Sequence, residues 1–294
     1  MQDNRLLGIG CMLAAMAMIS VQEAFAKYLG QTMPIPQVVW ARYIGHLSLM
    51  VVWLWPKHSS SLLRANRPFM QIGRSLLLLI DTSLAFWGLT MIGLAELTAI
   101  FFTVPLLVAA LAIPILKERV GIRSLLAIMV GFSGTLVIIR PGFDGLGLGA
   151  LLVFGAACCV ALFNVTTRKL ANDDPMPVTL FYTALVGAIA SSLALPFFWQ
   201  TPDTPMAWAA FVSIGLFGGI AHSLMVASHK YAPASTVAPF MYTQVFWALG
   251  LGWVLFGNLP DQYAFMGGGI VILSGLYLIH RGRIDSAKPP PAQT

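Results

Sequence analysis

Ten runs of about twenty apolar residues, parted by short polar or Pro/Gly breaks, fill nearly all of this 294-residue chain. A helix needs roughly 20 such residues to cross a hydrocarbon layer about 30 Å thick, because each residue rises about 1.5 Å. The runs fall near 5–27, 38–55, 69–90, 95–116 and 122–139, then near 148–168, 178–198, 207–229, 234–256 and 263–280. Backbone amides find no water in lipid, so a spanning segment is either a helix or part of a closed barrel. The short alternating strands of a barrel are missing from the sequence. The expected fold class is therefore an all-α integral membrane protein with ten transmembrane helices. Composition agrees: 58% hydrophobic and 10% charged residues leave too little polar surface to cover a soluble core.

The basic residues orient the spans. With the N-terminus in the cytoplasm, Arg5, Lys57, Arg64, Arg67, Lys117, Arg119, Arg123, Arg168, Lys169, Lys230, Arg281, Arg283 and Lys288 all fall on that side, and Arg74 flanks it. Lys27, Arg42 and Arg140 remain for the outer half. This asymmetry follows the positive-inside rule, and it predicts ten spans with both termini cytoplasmic in a bacterial inner membrane. The net charge of +6 is then a topology signal, and no nucleic-acid surface is expected. The apolar opening lacks a small-residue cleavage pattern and is read as a first span.

Several chemistries are not expected. Cys11, Cys158 and Cys159 sit in apolar runs without the spacing of a metal site or a disulfide framework. There is no phosphate-binding glycine loop, so hydrolysis within this chain cannot drive work. Neither a cofactor, a metal nor an enzymatic activity is expected. The implied partners are a small-molecule substrate and lipid, with a monomer as the working unit.

The two halves resemble each other. Ala95, Ala99, Phe101, Ala109 and Leu116 recur 139 positions later as Ala234, Ala238, Phe240, Ala248 and Leu255. Ser133, Gly134 and Arg140 recur as Ser274, Gly275 and Arg281. A half with an odd number of spans must enter the membrane inverted relative to its partner, which is the plan of many secondary transporters. The expected organisation is a first five-helix repeat over 1–141, a second over 142–284, and a disordered tail over 285–294.

The stretch Leu116, Lys117, Glu118, Arg119, Val120, followed by Gly131-Phe-Ser-Gly134 and Leu136-Val-Ile-Ile-Arg-Pro141, resembles the repeat end of EamA-type members of the drug/metabolite transporter superfamily. In that family an acidic residue follows the fourth helix and a glycine-punctuated fifth helix comes next. The second half departs from the pattern, carrying Phe256-Gly-Asn-Leu-Pro260 where many relatives have a second acid. The resemblance covers essentially the whole chain and implies a carrier working by alternating access. The chain looks most like bacterial exporters of aromatic amino acids and methionine.

A charge at the bilayer centre costs about 2.5–3.5 kcal/mol on insertion scales, so each one asks for a partner or a purpose. Asp81 is the most central; it either meets a substrate ammonium or a proton, or holds helices together as a buried acid. Glu23 and Lys27, four apart near the outer end of the first run, read as a helix-end pair. Gln22 and Glu96 lie at similar depth, and Arg42 reads as a snorkelling side chain. Gly215, Gly219, His222 and His229 roughly share a helix face, where small residues admit a neighbouring helix and His222 bonds or titrates. Asn164, Thr167 and Arg168 form a polar stripe.

Pro105, Pro114 and Pro239 interrupt two runs at matching depth, and such interruptions free carbonyls where a cavity can use them. Phe86, Trp87, Phe101, Phe102, Tyr242 and Trp247 cluster around these runs, offering faces to an aromatic or cationic substrate. The substrate-binding set expected from these readings is Gln22, Asp81, Phe86, Phe102, Asn164, His222, Tyr242, Gln244 and Trp247, with Asp81 and His222 as proton carriers. The expected function is export of small amphipathic metabolites, amino acids above all. The rival readings are cationic drugs or sugars as cargo, or a pore lined by the same residues.

Overall fold

The computed structural model describes residues 4–116, 122–139, 147–170, 173–232 and 234–286. Regular secondary structure in these residues is entirely helical. The helices are α1 (Arg5–Gly30), α2 (Ile35–His58), α3 (Pro68–Leu89), α4 (Leu94–Phe101), α5 (Val104–Leu116) and α6 (Ile122–Ile139). They continue as α7 (Gly147–Leu170), α8 (Met176–Ala194), α9 (Pro205–Tyr231), α10 (Ala234–Met241), α11 (Gln244–Phe256) and α12 (Gln262–Ser286). Eight helical segments are long and apolar enough to cross a membrane, and two shorter apolar ones, Leu125–Ile139 and Gln262–Leu278, stand beside them. Large apolar side chains such as Phe69, Leu193, Val254 and Leu273 face outwards at 70% exposure or more, an arrangement stable only where the surrounding solvent is lipid. Positions 117–121 and 140–146, with Glu118 and Arg140 of the family-like stretch, lie outside the described residues, as does 287–294 of the tail.

Local chemistry sets the helix ends. Asn4 Oδ1 accepts from the Leu7 N–H at 3.2 Å and Thr204 Oγ1 from the Ala207 N–H at 3.1 Å, each satisfying a donor that a helix start leaves open. Prolines occupy the first turns of α2, α3, α8 and α9, where their missing N–H costs nothing. Gly257 ends α11 at φ +66°, a left-handed cap that a side chain resists.

Two apolar runs are broken in the middle. The chain leaves the helix at Phe102 and Thr103 between α4 and α5, and again at Tyr242 and Thr243 between α10 and α11. Pro105 accounts for the first break, since it has no N–H to give the Phe101 carbonyl and its ring crowds that carbonyl. The second follows Pro239, which lies inside α10. At both breaks a threonine hydroxyl donates back to the carbonyl three residues earlier at 2.6 Å, Thr103 to Ile100 and Thr243 to Phe240. Elements of equal length begin 140 positions apart on either side (94 and 234, 104 and 244), and α6 and α12 begin with the same offset (122 and 262). The register is one residue longer than the 139 that the alanine and phenylalanine matches indicate, so those identities do not align structurally equivalent residues. The aligned pairs are Phe102 with Tyr242 and Thr103 with Thr243.

Helices pack across the chain rather than with their sequence neighbours: α1 lies on α9, α3 on α7, α2 on α8 and α9, and α6 on α12. Glycines set the closest crossings. A Cβ on Gly45 of α2 would lie 2.6 Å from the Cα of Gly215 of α9, and one on Gly215 would lie 2.5 Å from the Cα of Gly45. Gly88 of α3 meets Gly149 of α7, and Gly134 of α6 meets Gly267 of α12, in the same way. Small residues let helix backbones approach where lipid removes the hydrophobic drive to associate. Packing is asymmetric around the breaks: α4 packs on α11 and α12, whereas among the described residues α10 makes no contact of like extent with α5 or α6.

A side chain at Gly45 or Gly215 meets backbone, which cannot rotate away, whereas Gly10 has nothing within 4 Å. Gly45→Leu and Gly215→Leu are expected to lose about 3 kcal/mol, the upper end of overpacking costs, and Gly10→Leu to stay near the wild-type value. Thermal unfolding of the detergent-solubilised protein, followed by size-exclusion monodispersity, checks this.

Candidate substrate site

The α2–α9 crossing brings polar side chains from both halves of the chain into one buried cluster. Arg42 and His46 stand one turn apart on α2, on either side of Gly45, and are 6% and 2% exposed. Asp81, 7% exposed, comes from the middle of α3, and Gln22 and Glu23 come from α1. His222 of α9 stacks on His46, ring centroids 5.6 Å apart and planes within 9°. Gln22 sets its Oε1 against Gly218 of α9, and the Arg42 side chain flanks the same glycine. Arg42 carries its guanidinium 4.8 Å from the Tyr43 ring centroid, while the Tyr43 hydroxyl meets Thr82 Oγ1 at 3.3 Å. Glu23 Oε1 accepts from Gln244 Nε2 at 3.0 Å, linking α1 to the first residue of α11. The two helix breaks touch each other, with Phe102 and Tyr242 edge to face at 4.9 Å.

The cluster is not internally satisfied. Glu23 Oε2, Arg42 Nε and Nη1, His46 Nε2 and Asp81 Oδ1 are buried without a hydrogen-bond partner, and the same is true of Ser20 Oγ, Gln71 Oε1, Arg74 Nε and Tyr242 Oη. Arg42 and Asp81 lie within electrostatic reach of each other, yet no ion pair within 4.0 Å joins them among the described residues. Unpaired buried polar groups cost about 1–3 kcal/mol each, and more when charged. A concentration of them is what a site for a polar ligand looks like before the ligand arrives.

Of the expected substrate set, Gln22, Asp81 and His222 come together here, and Gln244 joins them through Glu23, whereas Phe102 and Tyr242 lie in the main apolar core. Phe86 is buried in that same core. Asn164 and Trp247 are exposed on α7 and α11, and no hydrogen bond or ring contact joins them to the cluster among the described residues. Trp87 is 53% exposed, so part of the aromatic group faces outwards. Glu23 and Lys27 do not pair. Lys27 Nζ instead donates to the Ile92 carbonyl at 2.6 Å and lies 5.4 Å from the Phe256 ring centroid, tying the ends of α1 and α11 to the α3–α4 turn. Arg42 does not snorkel, because it is buried. His46 carries no motif; its one signal in the sequence is its place four residues after Arg42 in the middle of an apolar run. An apolar groove of about 250 Å³ lies between α4, α11 and α12, lined by Ala99, Phe102, Leu249 and Ile272 among others.

A second polar network joins the halves at the end of the bundle that holds Arg5, Lys57, Arg64 and Arg168. Arg74 of α3 donates through Nη1 to Thr167 Oγ1 at 3.0 Å and through Nη2 to the Thr179 carbonyl at 2.7 Å and Thr183 Oγ1 at 2.5 Å. Its guanidinium lies 4.6 Å from the Phe163 ring centroid. Gln71 donates to Asp174 Oδ2 and to Thr179 Oγ1, both at 3.0 Å, the Asn66 N–H bonds Asp174 Oδ1 at 2.6 Å, and Arg67 pairs with Asp173 at 3.0 Å. Thr167, part of the expected polar stripe, therefore serves as a fixed acceptor in a staple between α3, α7 and α8.

A helical membrane protein with unpaired polar groups buried between its crossed helices has the architecture of a membrane transporter. The chain belongs to the EamA-like transporter family, whose model matches residues 6–140 and again 147–280. It is 26% identical over 275 residues to an S-adenosylmethionine uptake transporter of Rickettsia felis, covering 94% of this chain and 93% of that one. It is 26% identical over 283 residues to a riboflavin transporter of Vibrio cholerae, covering 94% of each, and 24% identical over 280 residues to a pseudopaline exporter of Pseudomonas aeruginosa. A solved crystal structure superposes with a TM-score of 0.64 over 93% of this chain and 95% of the other at 20% identity, which shows a shared fold. The resemblance to the family holds. These relatives are named for S-adenosylmethionine, riboflavin and pseudopaline, so the likeness to amino acid exporters gains no support from them.

Truncating Arg74 leaves its threonine and carbonyl acceptors unpaired. Arg74→Ala is expected to lose about 3 kcal/mol, and Arg74→Lys to recover only part, since one ammonium cannot reach all three acceptors. Chemical unfolding in detergent reads both, and substrate preference is expected to stay unchanged wherever the protein remains folded.

Proposed function

We propose that this protein is an inner-membrane carrier for small amphipathic metabolites that bear an amino-acid group, with both termini cytoplasmic and a central site between two inverted five-helix repeats. The observation that carries the reading is the cluster of unpartnered buried groups formed by Glu23, Arg42, His46 and Asp81 between α1, α2, α3 and α9. The relatives support a small-molecule cargo, and one of them, the transporter of S-adenosylmethionine, is named for a metabolite that contains an amino acid.

Alternating access draws support from the asymmetry of the two breaks. At one end of the bundle α4 closes on α11 and α12, and Lys27 ties α1 to the α3–α4 turn. At the other end, among the described residues, α10 makes no contact of like extent with α5 or α6. Exchanging these two arrangements, with the Phe102–Tyr242 contact as the pivot, would carry the site from one side to the other. The basic residues cluster at the α10 end, and the positive-inside rule makes that end cytoplasmic. Net direction is then set by the gradients across the membrane, so that export and uptake are two uses of the same cycle. Asp81 and His222 remain the proton-carrying pair in this reading, both within electrostatic reach of Arg42.

Counterflow in proteoliposomes tests the proposal. Internal unlabelled substrate is expected to accelerate entry of labelled amino acids or of S-adenosylmethionine at least severalfold, with saturation. If none of a panel of amino acids, S-adenosylmethionine, riboflavin, amines and sugars shows countertransport, the carrier reading fails; flux far above carrier turnover without countertransport identifies a pore instead. An imposed pH gradient is expected to drive accumulation by the wild type and not by the Asp81→Asn, His222→Gln double variant. Persistence of that drive would place proton coupling elsewhere.

A further inference from the structure

The opposite charges in the cluster are held apart, and their separation has a chemical consequence. Arg42 is 6% exposed, with Nε and Nη1 unpartnered; Asp81 is 7% exposed, with Oδ1 unpartnered; Glu23 spends Oε1 on Gln244 and leaves Oε2 unpartnered. Placed in contact, Arg42 and Asp81 would satisfy each other, as arginine and carboxylate do wherever geometry allows. Here they stand beyond 4.0 Å, each near enough to feel the other and too far to bond. We infer that the cluster is a two-pole site for a zwitterion, in which Arg42 takes a carboxylate and Asp81 with Glu23 takes an ammonium.

The unpartnered atoms separate this class from its rivals. An amine without a carboxylate meets Asp81 and Glu23 but leaves the two Arg42 nitrogens without an acceptor. A carboxylate without an amine leaves both acid oxygens without a donor. A neutral body leaves both poles unmet. A molecule bearing both groups satisfies all of these atoms at once, and a site of buried polar groups discriminates strongly against ligands that leave some unpaired. The rest of the ligand would then lie along the stacked His46–His222 pair, which offers a flat face to an aromatic or thioether body. Arg42 is held from behind by the Tyr43 ring, and Tyr43 is itself bonded to Thr82 beside Asp81, so the two poles are fixed relative to each other.

The inference rests on the carrier reading and is tested apart from it, by equilibrium binding to the detergent-purified full chain. Two matched series are compared: L-phenylalanine, phenethylamine and 3-phenylpropionate, and L-methionine, 3-methylthiopropylamine and 4-methylthiobutanoate. At least one zwitterion is expected to bind ten-fold or more tightly than its amine and its acid. In Arg42→Gln the amine is expected to come within about threefold of the zwitterion, and in Asp81→Asn the acid is expected to do so. Arg42→Lys, which keeps the charge, retains part of the carboxylate preference and guards against a folding defect. The wild-type series needs no variant. If neither zwitterion binds, or a singly charged analogue binds within twofold as well, the two-pole site is wrong; an amine that wins makes it a cation site. Counterflow of any other metabolite would leave the carrier reading standing in either case.

Discussion

The close crossing of α2 and α9 at Gly45 and Gly215 is the contact on which the candidate site depends. It sets Arg42 and His46, the neighbours of Gly45 on one helix face, against Gly218 and His222 of α9. With a larger residue at the crossing the helices would stand further apart, the histidine rings would lose their stack, and Gln22 would have no open glycine to lie against. Similar glycine meetings on the α3–α7 and α6–α12 pairs keep the remaining helices near enough for the polar groups to stay out of lipid. Close packing between backbones replaces the hydrophobic drive that a soluble protein would use.

The polar groups themselves divide by how completely they are met. Arg74 is buried and bonded through Nη1 and Nη2 to three acceptors on α7 and α8, with an aromatic ring beside it and only its Nε unpartnered, so it holds the halves together at one end. Arg42 is equally buried and has two nitrogens without partners. The same residue type in the same kind of environment thus has two fates, and the difference lies in whether the neighbouring helices bring oxygens. Satisfaction gives rigidity, and its lack marks the place where a ligand completes the structure.

Much of the architecture was legible in the sequence because it follows from one-dimensional quantities. Apolar run lengths placed the helices to within a few residues, and Pro105 and Pro239 announced that two runs would be interrupted. The site was less legible. Glu23 and Lys27 have the spacing of a helix pair, yet each finds a better partner on a distant segment, Gln244 and the Ile92 carbonyl. Arg42 and His46 carry no motif, and a basic residue a few positions inside a span looks the same whether it reaches for the interface or turns inwards. Trp247 and Asn164 look like site residues by type and depth, but both are exposed and no hydrogen bond or ring contact joins them to the cluster among the described residues. The repeat register was misjudged by one because alanine and phenylalanine identities are cheap in an apolar alphabet, whereas the helix breaks are fixed by backbone geometry.

The sequence alone determined that the chain is a bundle of membrane helices with its basic residues at one end, since hydrocarbon thickness and the cost of unbonded amides leave no other outcome for such apolar runs. Only the tertiary structure decided which buried charges meet and which stay apart. A helix presents each side chain at a fixed angle, but its partner is chosen by the neighbour that packs there, and that choice is made by glycines far away in the chain. The separation of Arg42 from Asp81 is such a decision: two residues 39 positions apart, on helices whose distance is set by what each packs against.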